Sequence, residues 1–342
     1  MPRENSTKQS ELVMKPLKTP SWFGKRPVRV AFQVTITGCI IGFIATAVYQ
    51  LMNQLDTQPV LLSQPFIVGV ILALTYRVVN AYGWAVILNA MGDRVDGIAA
   101  TKIWLLAESR RWLPGGVWGY TSRAAMAPQM GVSLTKASAS MFLELLILMA
   151  AALVVSVPGI ILYWADIASA IQEVTRNIPV AWIAVVVAAA ALLTPFVWKR
   201  FGNKLQALQN RYESLKGISL KPVGLMKSVA FFVLMGAVNG LVSACLLKSI
   251  PGAIAAPVSV VIAATAVAWV VGFVAVFSPG GLIVREGTLA LLLAPWLPYS
   301  AGFTLAILAR LVQILAEVVC MLAVMAIEYR RQSVAASVQA SS

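Results

Sequence analysis

The chain contains no histidine, only three cysteines and only 13 acidic residues among its 342. Without histidine there is no imidazole for general acid–base catalysis, metal ligation or pH sensing. Cys39, Cys245 and Cys320 each lie in an apolar run, so they read as small buried hydrophobes, not as a disulfide framework or zinc site. Charged residues of both signs make up 12% of the chain, where soluble proteins carry about 25%. Neither a GxxxxGK[ST] loop nor a GxGxxG turn occurs, which argues against a nucleotide cradle. No cofactor and no metal are expected.

Apolar residues are plentiful, at 59% of the chain. They come in long continuous runs, not in the alternating pattern of a transmembrane barrel. The expected class is an all-α, polytopic integral membrane helix bundle. Net charge is +14, but the basic residues sit in loops, where membrane topology and lipid headgroups account for them better than nucleic acid does.

Residues 1–28 read as a disordered basic cytoplasmic tail, 29–330 as a transmembrane domain, and 331–342 as a disordered C-terminal tail. Apolar spans are expected at about 29–52, 65–91, 134–163, 178–198, 225–248, 254–278 and 301–328, with a shorter run at 282–297 that either crosses or forms a half-helix. Two loops are strongly basic: Arg94 to Lys136, which includes Arg110, Arg111 and Arg123, and Lys199 to Lys227. The loops 53–64, 164–177 and 249–253 offer only Arg176, with Lys248 at an edge. The positive-inside rule places both termini and both basic loops in the cytoplasm. An even number of crossings follows, about eight with 282–297 counted. The segment 91–133 reads as an interfacial or re-entrant element around Pro114-Gly115-Gly116, which echoes Pro279-Gly280-Gly281. Each is followed by an arginine, Arg123 or Arg285, and later by a helix with a glutamate, Glu144 or Glu317. Broken helices at matching positions are a pointer to a transport site.

Charges inside the apolar runs carry the functional argument. A charge at the bilayer centre costs at least about 2.5–3.5 kcal/mol, so it persists where it faces a partner or a hydrated cavity. Arg310, Gln313 and Glu317 share one helical face, as do Lys136, Ser140 and Glu144, and Arg77, Asn80 and Trp84. Arg77 is too far from either end of its span to reach water by stretching. These faces are either structural seams between helices or the lining of a polar pocket; spacing alone does not choose. In Ser278-Pro279-Gly280-Gly281-Leu282-Ile283-Val284-Arg285-Glu286-Gly287 the proline ends one helix and Gly280 and Gly281 allow a tight turn. A new helix is expected near Leu282. Its N-terminal amides and the Arg285 guanidinium, beside Glu286, form a plausible phosphate cradle. The arginines and tryptophans of 108–123 suit lipid headgroups at a membrane surface.

At these residues the chain resembles the flippase-like membrane-protein family named after the lysylphosphatidylglycerol synthase transmembrane region. The resemblance rests on PGGLIVREGTLALLL, followed by Ala309, Arg310 and Glu317, and on the upstream RRWLPGGVWGYTSRAAMAPQMGVS with Glu144. It spans about 30–330. The family pattern is Pro-Gly-Gly-x-Gly-x-Arg-Glu-Gly; here Ile283 stands where the second-motif glycine is expected.

The resemblance implies an inner-membrane translocase that handles an anionic lipid, a glycolipid or a polyprenyl-phosphate-linked substrate. Arg77, Arg110, Arg111, Arg123, Arg285 and Arg310 would engage the headgroup, Gly280 and Gly281 shape the turn, and Glu144, Glu286 and Glu317 balance charge. Aminoacyl transfer is not expected, since only a short tail follows residue 331. An alternative is a non-transporting scaffold or regulator of an envelope lipid or glycan enzyme, which would then be a partner. A polyprenyl-phosphate transferase using Asp93 and Asp96 as a metal pair is a thinner third alternative.

Overall fold

The computed structural model describes residues 60, 63–108, 118–177, 221–251, 256–275, 281 and 283–341. The chain divides into two units, Met1–Ala45 and Thr46–Ser342, and every described residue belongs to the second. Expected spans at 29–52 and 178–198, and the basic tail 1–28, lie outside the described residues.

Among the described residues there are nine α-helices and no strand. They are α1 (Gln64–Ala90), α2 (Gly97–Glu108), α3 (Trp118–Met126), α4 (Leu134–Leu162), α5 (Trp164–Asn177), α6 (Pro222–Ser249), α7 (Val258–Val274), α8 (Val284–Leu293) and α9 (Tyr299–Ser341). A short 3-10 turn, Ala127–Met130, joins α3 to α4. Three helix starts carry side-chain caps. Ser63 Oγ accepts from Phe66 N at 3.4 Å and Ser133 Oγ from Lys136 N at 3.3 Å. Asp96 accepts from Ile98 N and Ala99 N, each at 3.2 Å, at the start of α2. Each cap satisfies an amide that has no partner within its helix.

Among the described residues, four helices are long and apolar enough to cross a membrane: α1, α4, α6 and the Tyr299–Ile327 part of α9. The bundle is therefore an all-helical membrane protein. Helix α4 shows the inverted pattern such a setting demands. Its buried positions include Ala137, Ser140, Ala151, Ser156 and Gly159, while Phe142, Leu153 and Ile161 face outward. Lipid accepts large apolar side chains, and small ones let helix backbones approach.

Close contacts fix helix directions. Gly69 meets Leu246, Gly83 meets Phe232 and Gly224 meets Ala90, so α1 and α6 run antiparallel along their whole length. Lys221 N donates to Ala90 O at 3.0 Å where they meet. Gly159 of α4 lies against Ser259 of α7, Gly240 of α6 against Ile262, Gly272 of α7 against Arg285, and Gly302 of α9 against Ala290 of α8. The ends 64, 162, 249, 258, 293 and 299 thus gather at one side of the bundle. The ends 90, 134 and 222 gather at the other, with α2 following from α1 there.

Two expectations need correction, and one open reading is decided. The run 282–297, read as a crossing or a half-helix, yields only the ten residues of α8, about 15 Å of helix against a hydrocarbon core of about 30 Å, so it is the half-helix. Gly281 is buried against Gly272 of α7, and α8 runs back toward the end of the bundle where α7 starts. The helix begins at Val284, close to the expected start near Leu282. Residues 164–177, expected as a loop, form α5. Its Ile167 and Ala170 are buried on one face, the spacing of a half-buried helix, and it packs against α8 and α4. Residues 331–341, expected as a disordered tail, continue α9; with no glycine or proline after Gly302 nothing in the sequence stops the helix. The segment 91–133 holds α2 and α3, both too short to cross, packed on α1 and α4.

Candidate functional site

Arg77 sits near the middle of α1 at 6% exposure. Its Nη2 donates to Glu317 Oε2 of α9 at 2.7 Å, and its guanidinium carbon lies 5.8 Å from the Trp104 ring centre. Trp104, on α2, turns its Nε1 toward Glu144 Oε1 of α4 at 3.2 Å. The second Glu144 oxygen is 2.7 Å from Arg123 Nη2 of α3, in ionic contact but with no hydrogen bond directed at it. Arg123 also lies over Trp84, 5.0 Å from the ring centre, and within 5.7 Å of Tyr120. A chain of charge and aromatic contact thus runs from α9 through α1 and α2 to α4 and α3. Stacked guanidiniums keep their charge while shedding water, which suits Arg better than Lys.

Of these groups, Arg77, Trp104, Tyr120, Arg123 and Glu144 line a cavity of about 190 Å³. Arg77, Arg123, Arg285, Glu108 and Glu144 line it, with the amides of Asn80, Asn239 and Gln313. Gln313 Nε2 donates to Asn239 Oδ1 at 2.8 Å, joining α9 to α6. The rest of the lining is largely apolar and includes Leu145, Leu148 and Ala152 of α4, Phe232 and Met235 of α6, and Ala266 of α7. The cavity therefore presents three guanidiniums and two carboxylates against a hydrocarbon-like surface. In such a low-dielectric place each charge interaction counts for more than in water.

The expected site residues separate into groups. Arg77, Arg123, Glu144 and Arg285 share the cavity, and Glu317 stands behind Arg77 as its counter-ion. Arg310 pairs with Glu286, the acid in the first turn of α8, and this buried pair ties α9 to α8. It does not line the cavity. Gly281 has φ of +70° and lies so close to Gly272 that a Cβ would stand 2.7 Å from the Gly272 carbonyl oxygen. Arg110, Arg111 and Gly280 lie outside the described residues. Asp93 and Asp96, weighed as a metal pair, have structural partners: Asp93 Oδ1 meets Lys136 Nζ at 2.8 Å and Asp96 caps α2.

A family model described as the lysylphosphatidylglycerol synthase TM region matches residues 30–320. The chain belongs to this family. No curated protein matches it. The match covers every cavity-lining residue, from Tyr76 to Gln313, of this member of the lysylphosphatidylglycerol synthase TM-region family, so the charged lining lies within the shared domain. Trp104, Tyr76, Asn239 and Trp269 also line the cavity and were not among the expected site residues. Asn239 had a legible signal, a lone amide within an apolar run; Trp104 sat in the apolar stretch 103–107 and gave none of its polar contact away.

Proposed function

We propose that this protein takes up a lipid with an anionic headgroup in the cavity and carries it across the bilayer. The observation behind the proposal is the pairing of opposite surfaces in one space. Arg77, Arg123 and Arg285 supply planar donors suited to a phosphate, and the apolar α4, α6 and α7 lining suits the first carbons of an acyl or polyprenyl chain. Arg285, in the first turn of α8, also adds to the positive end of that helix. The arrangement of a short re-entrant hairpin against long spans supports a transport role. Basic residues Arg94, Lys102, Arg123, Lys136, Lys221 and Lys227 belong to the end of the bundle marked by 90, 134 and 222, which the positive-inside rule places in the cytoplasm of the inner membrane.

Native mass spectrometry of gently extracted protein tests the binding half. Wild type retains an anionic or lipid-linked saccharide species, and Arg285→Ala loses it. Retention unchanged in Arg285→Ala removes the headgroup site.

One observation favours a second reading, a scaffold that transports nothing. The buried Arg77 and Arg123 and the partly buried Arg310 each have a carboxylate partner, as charged struts between helices would. Stoichiometric co-purification of an envelope enzyme, with no lipid retained, supports that reading.

A further inference from the structure

Arg285 and Glu286 are neighbours in the first turn of α8 and serve different surfaces. Arg285 lines the cavity. Glu286 belongs to the buried stripe Glu286, Leu289, Ala290 and Leu293. That stripe faces α9, where Ala290 meets Gly302 and the Glu286 carboxylate meets the Arg310 guanidinium. Consecutive residues of an α-helix are set about 100° apart around its axis. Holding Glu286 against α9 therefore fixes the direction in which Arg285 leaves the helix.

The start of α8 has few other constraints. Ile283, the residue before it, supplies no side-chain cap. Leu289, Ala290 and Leu293 anchor the later turns, and in the first turn only Glu286 belongs to their stripe. On the α7 side, a Cβ at Gly272 would stand 2.9 Å from Arg285 Cβ, so the root of Arg285 has no room to move that way. Arg310 does not line the cavity. Were it to leave Glu286 for a ligand, it would strand a carboxylate that is 1% exposed, and a buried charge without its partner is strongly unfavourable. An unpaired Glu286 would find cations in the guanidinium-lined cavity, and turning α8 to bring it there carries Arg285 out. We infer that Arg310 is a positioning residue: through Glu286 it sets the rotation of α8 and so aims Arg285 into the cavity, without binding the headgroup itself. The inference rests on the proposed headgroup site for what Arg285 does there.

The experiment reads the direction of position 285 without any lipid. In full-length protein with its native cysteines replaced, Arg285→Cys supplies one thiol in the cavity lining. Its rate of reaction with a small water-soluble methanethiosulfonate is measured in detergent. Adding Arg310→Met is expected to slow that reaction about tenfold, as α8 turns to relieve the stranded carboxylate. Adding Glu286→Leu to Arg310→Met removes that carboxylate and should restore the rate to within about threefold. Asn239→Cys, on α6 in the same lining, should react equally in all these backgrounds. Arg310→Lys keeps the charge but not the planar fork. It should slow position 285 by an intermediate amount, and it serves where Arg310→Met does not fold. An unchanged rate at position 285, slowing that Glu286→Leu does not reverse, or equal slowing at position 239 overturns the inference.

A titration with short-chain phosphatidylglycerol separates this outcome from that of the headgroup site. Arg310→Met should weaken binding about tenfold when Arg285 is present and no further in the Arg285→Ala background. Further weakening there would make Arg310 a ligand in its own right and overturns the inference. Wild type that binds no phosphatidylglycerol overturns the headgroup site, and the thiol reaction rates then decide the aim of Arg285 by themselves.

Discussion

Arg77 Nη2 and Glu317 Oε2 meet at 2.7 Å although 240 residues separate them in sequence. Both side chains are almost wholly buried, one on the first described span and one on the last. Removing one partner leaves an unpaired charge where water does not reach, which typically costs about 3–5 kcal/mol. Arg77→Met and Glu317→Met are each expected to lower the thermal unfolding temperature in detergent sharply. The double variant Arg77→Met with Glu317→Met should lose much less than the sum, since both charges leave together. Additive losses would show that the two do not act as a pair.

Ile283 has φ of +71° and immediately precedes α8. A β-branched residue there is strained by about 1–3 kcal/mol, and the family pattern has glycine at this place. Ile283→Gly is expected to stabilise the protein by about 1 kcal/mol, the relief of strain exceeding the extra freedom glycine gives the unfolded chain. Gly281→Ala is expected to do the reverse and by more, because its Cβ would press on the Gly272 carbonyl. Thermal unfolding of both variants checks the opposite signs.

Two tryptophans separate packing from binding. Trp84 Nε1 donates to Ser140 Oγ at 2.9 Å, a fully buried contact away from the lining. Trp104 Nε1 donates to Glu144 inside it. Trp84→Phe should cost about 1 kcal/mol of stability and leave the affinity for phosphatidylglycerol within about twofold. Trp104→Phe should weaken that affinity several-fold, since it frees Glu144 from one of its two orienting contacts. Equal effects of both on affinity would argue that the cavity merely senses global stability.

The hairpin of α7 and α8 makes a topological prediction. In a variant with its native cysteines replaced, single cysteines at Pro251, Pro257 and Ser300 should all react with an impermeant thiol reagent from the same side of the membrane. Cysteines at Gly92 and Lys221 should react only from the opposite side. Labelling of Pro257 and Ser300 from opposite sides would mean that α8 does not return to the side from which α7 enters.

Much of this architecture was legible in the chain. The apolar runs marked α1, α4, α6 and α9 because a membrane core dictates their length. The inward faces Arg77-Asn80-Trp84, Ser140-Glu144 and Gln313-Glu317 followed from helical spacing. Pairing was not legible. Arg77 had two carboxylates to choose from, Glu144 and Glu317, and helix packing made the choice. The diversion of Arg310 to Glu286, away from the cavity, depends on the short α8 lying against α9. The amphipathic α5 was legible, since Trp164, Ile167, Ala168, Ile171 and Val174 recur at helical spacing, but its fourteen residues are too few to cross a membrane, so the segment reads as a connection. The apolar part of the lining was hidden: Leu148 or Met235 cannot be told from lipid-facing neighbours in a helix that is apolar all round.

The central claim is that the arginine-lined cavity carries a lipid head across the bilayer. Translocation of a fluorescently labelled phosphatidylglycerol in proteoliposomes, followed by quenching of the outer-leaflet label, tests it most directly. Wild type should exchange the label between leaflets well above empty vesicles, and Arg285→Ala and Glu144→Gln should each slow it at least tenfold at equal reconstitution. Wild-type vesicles no faster than empty ones, or variants as fast as wild type, would contradict it.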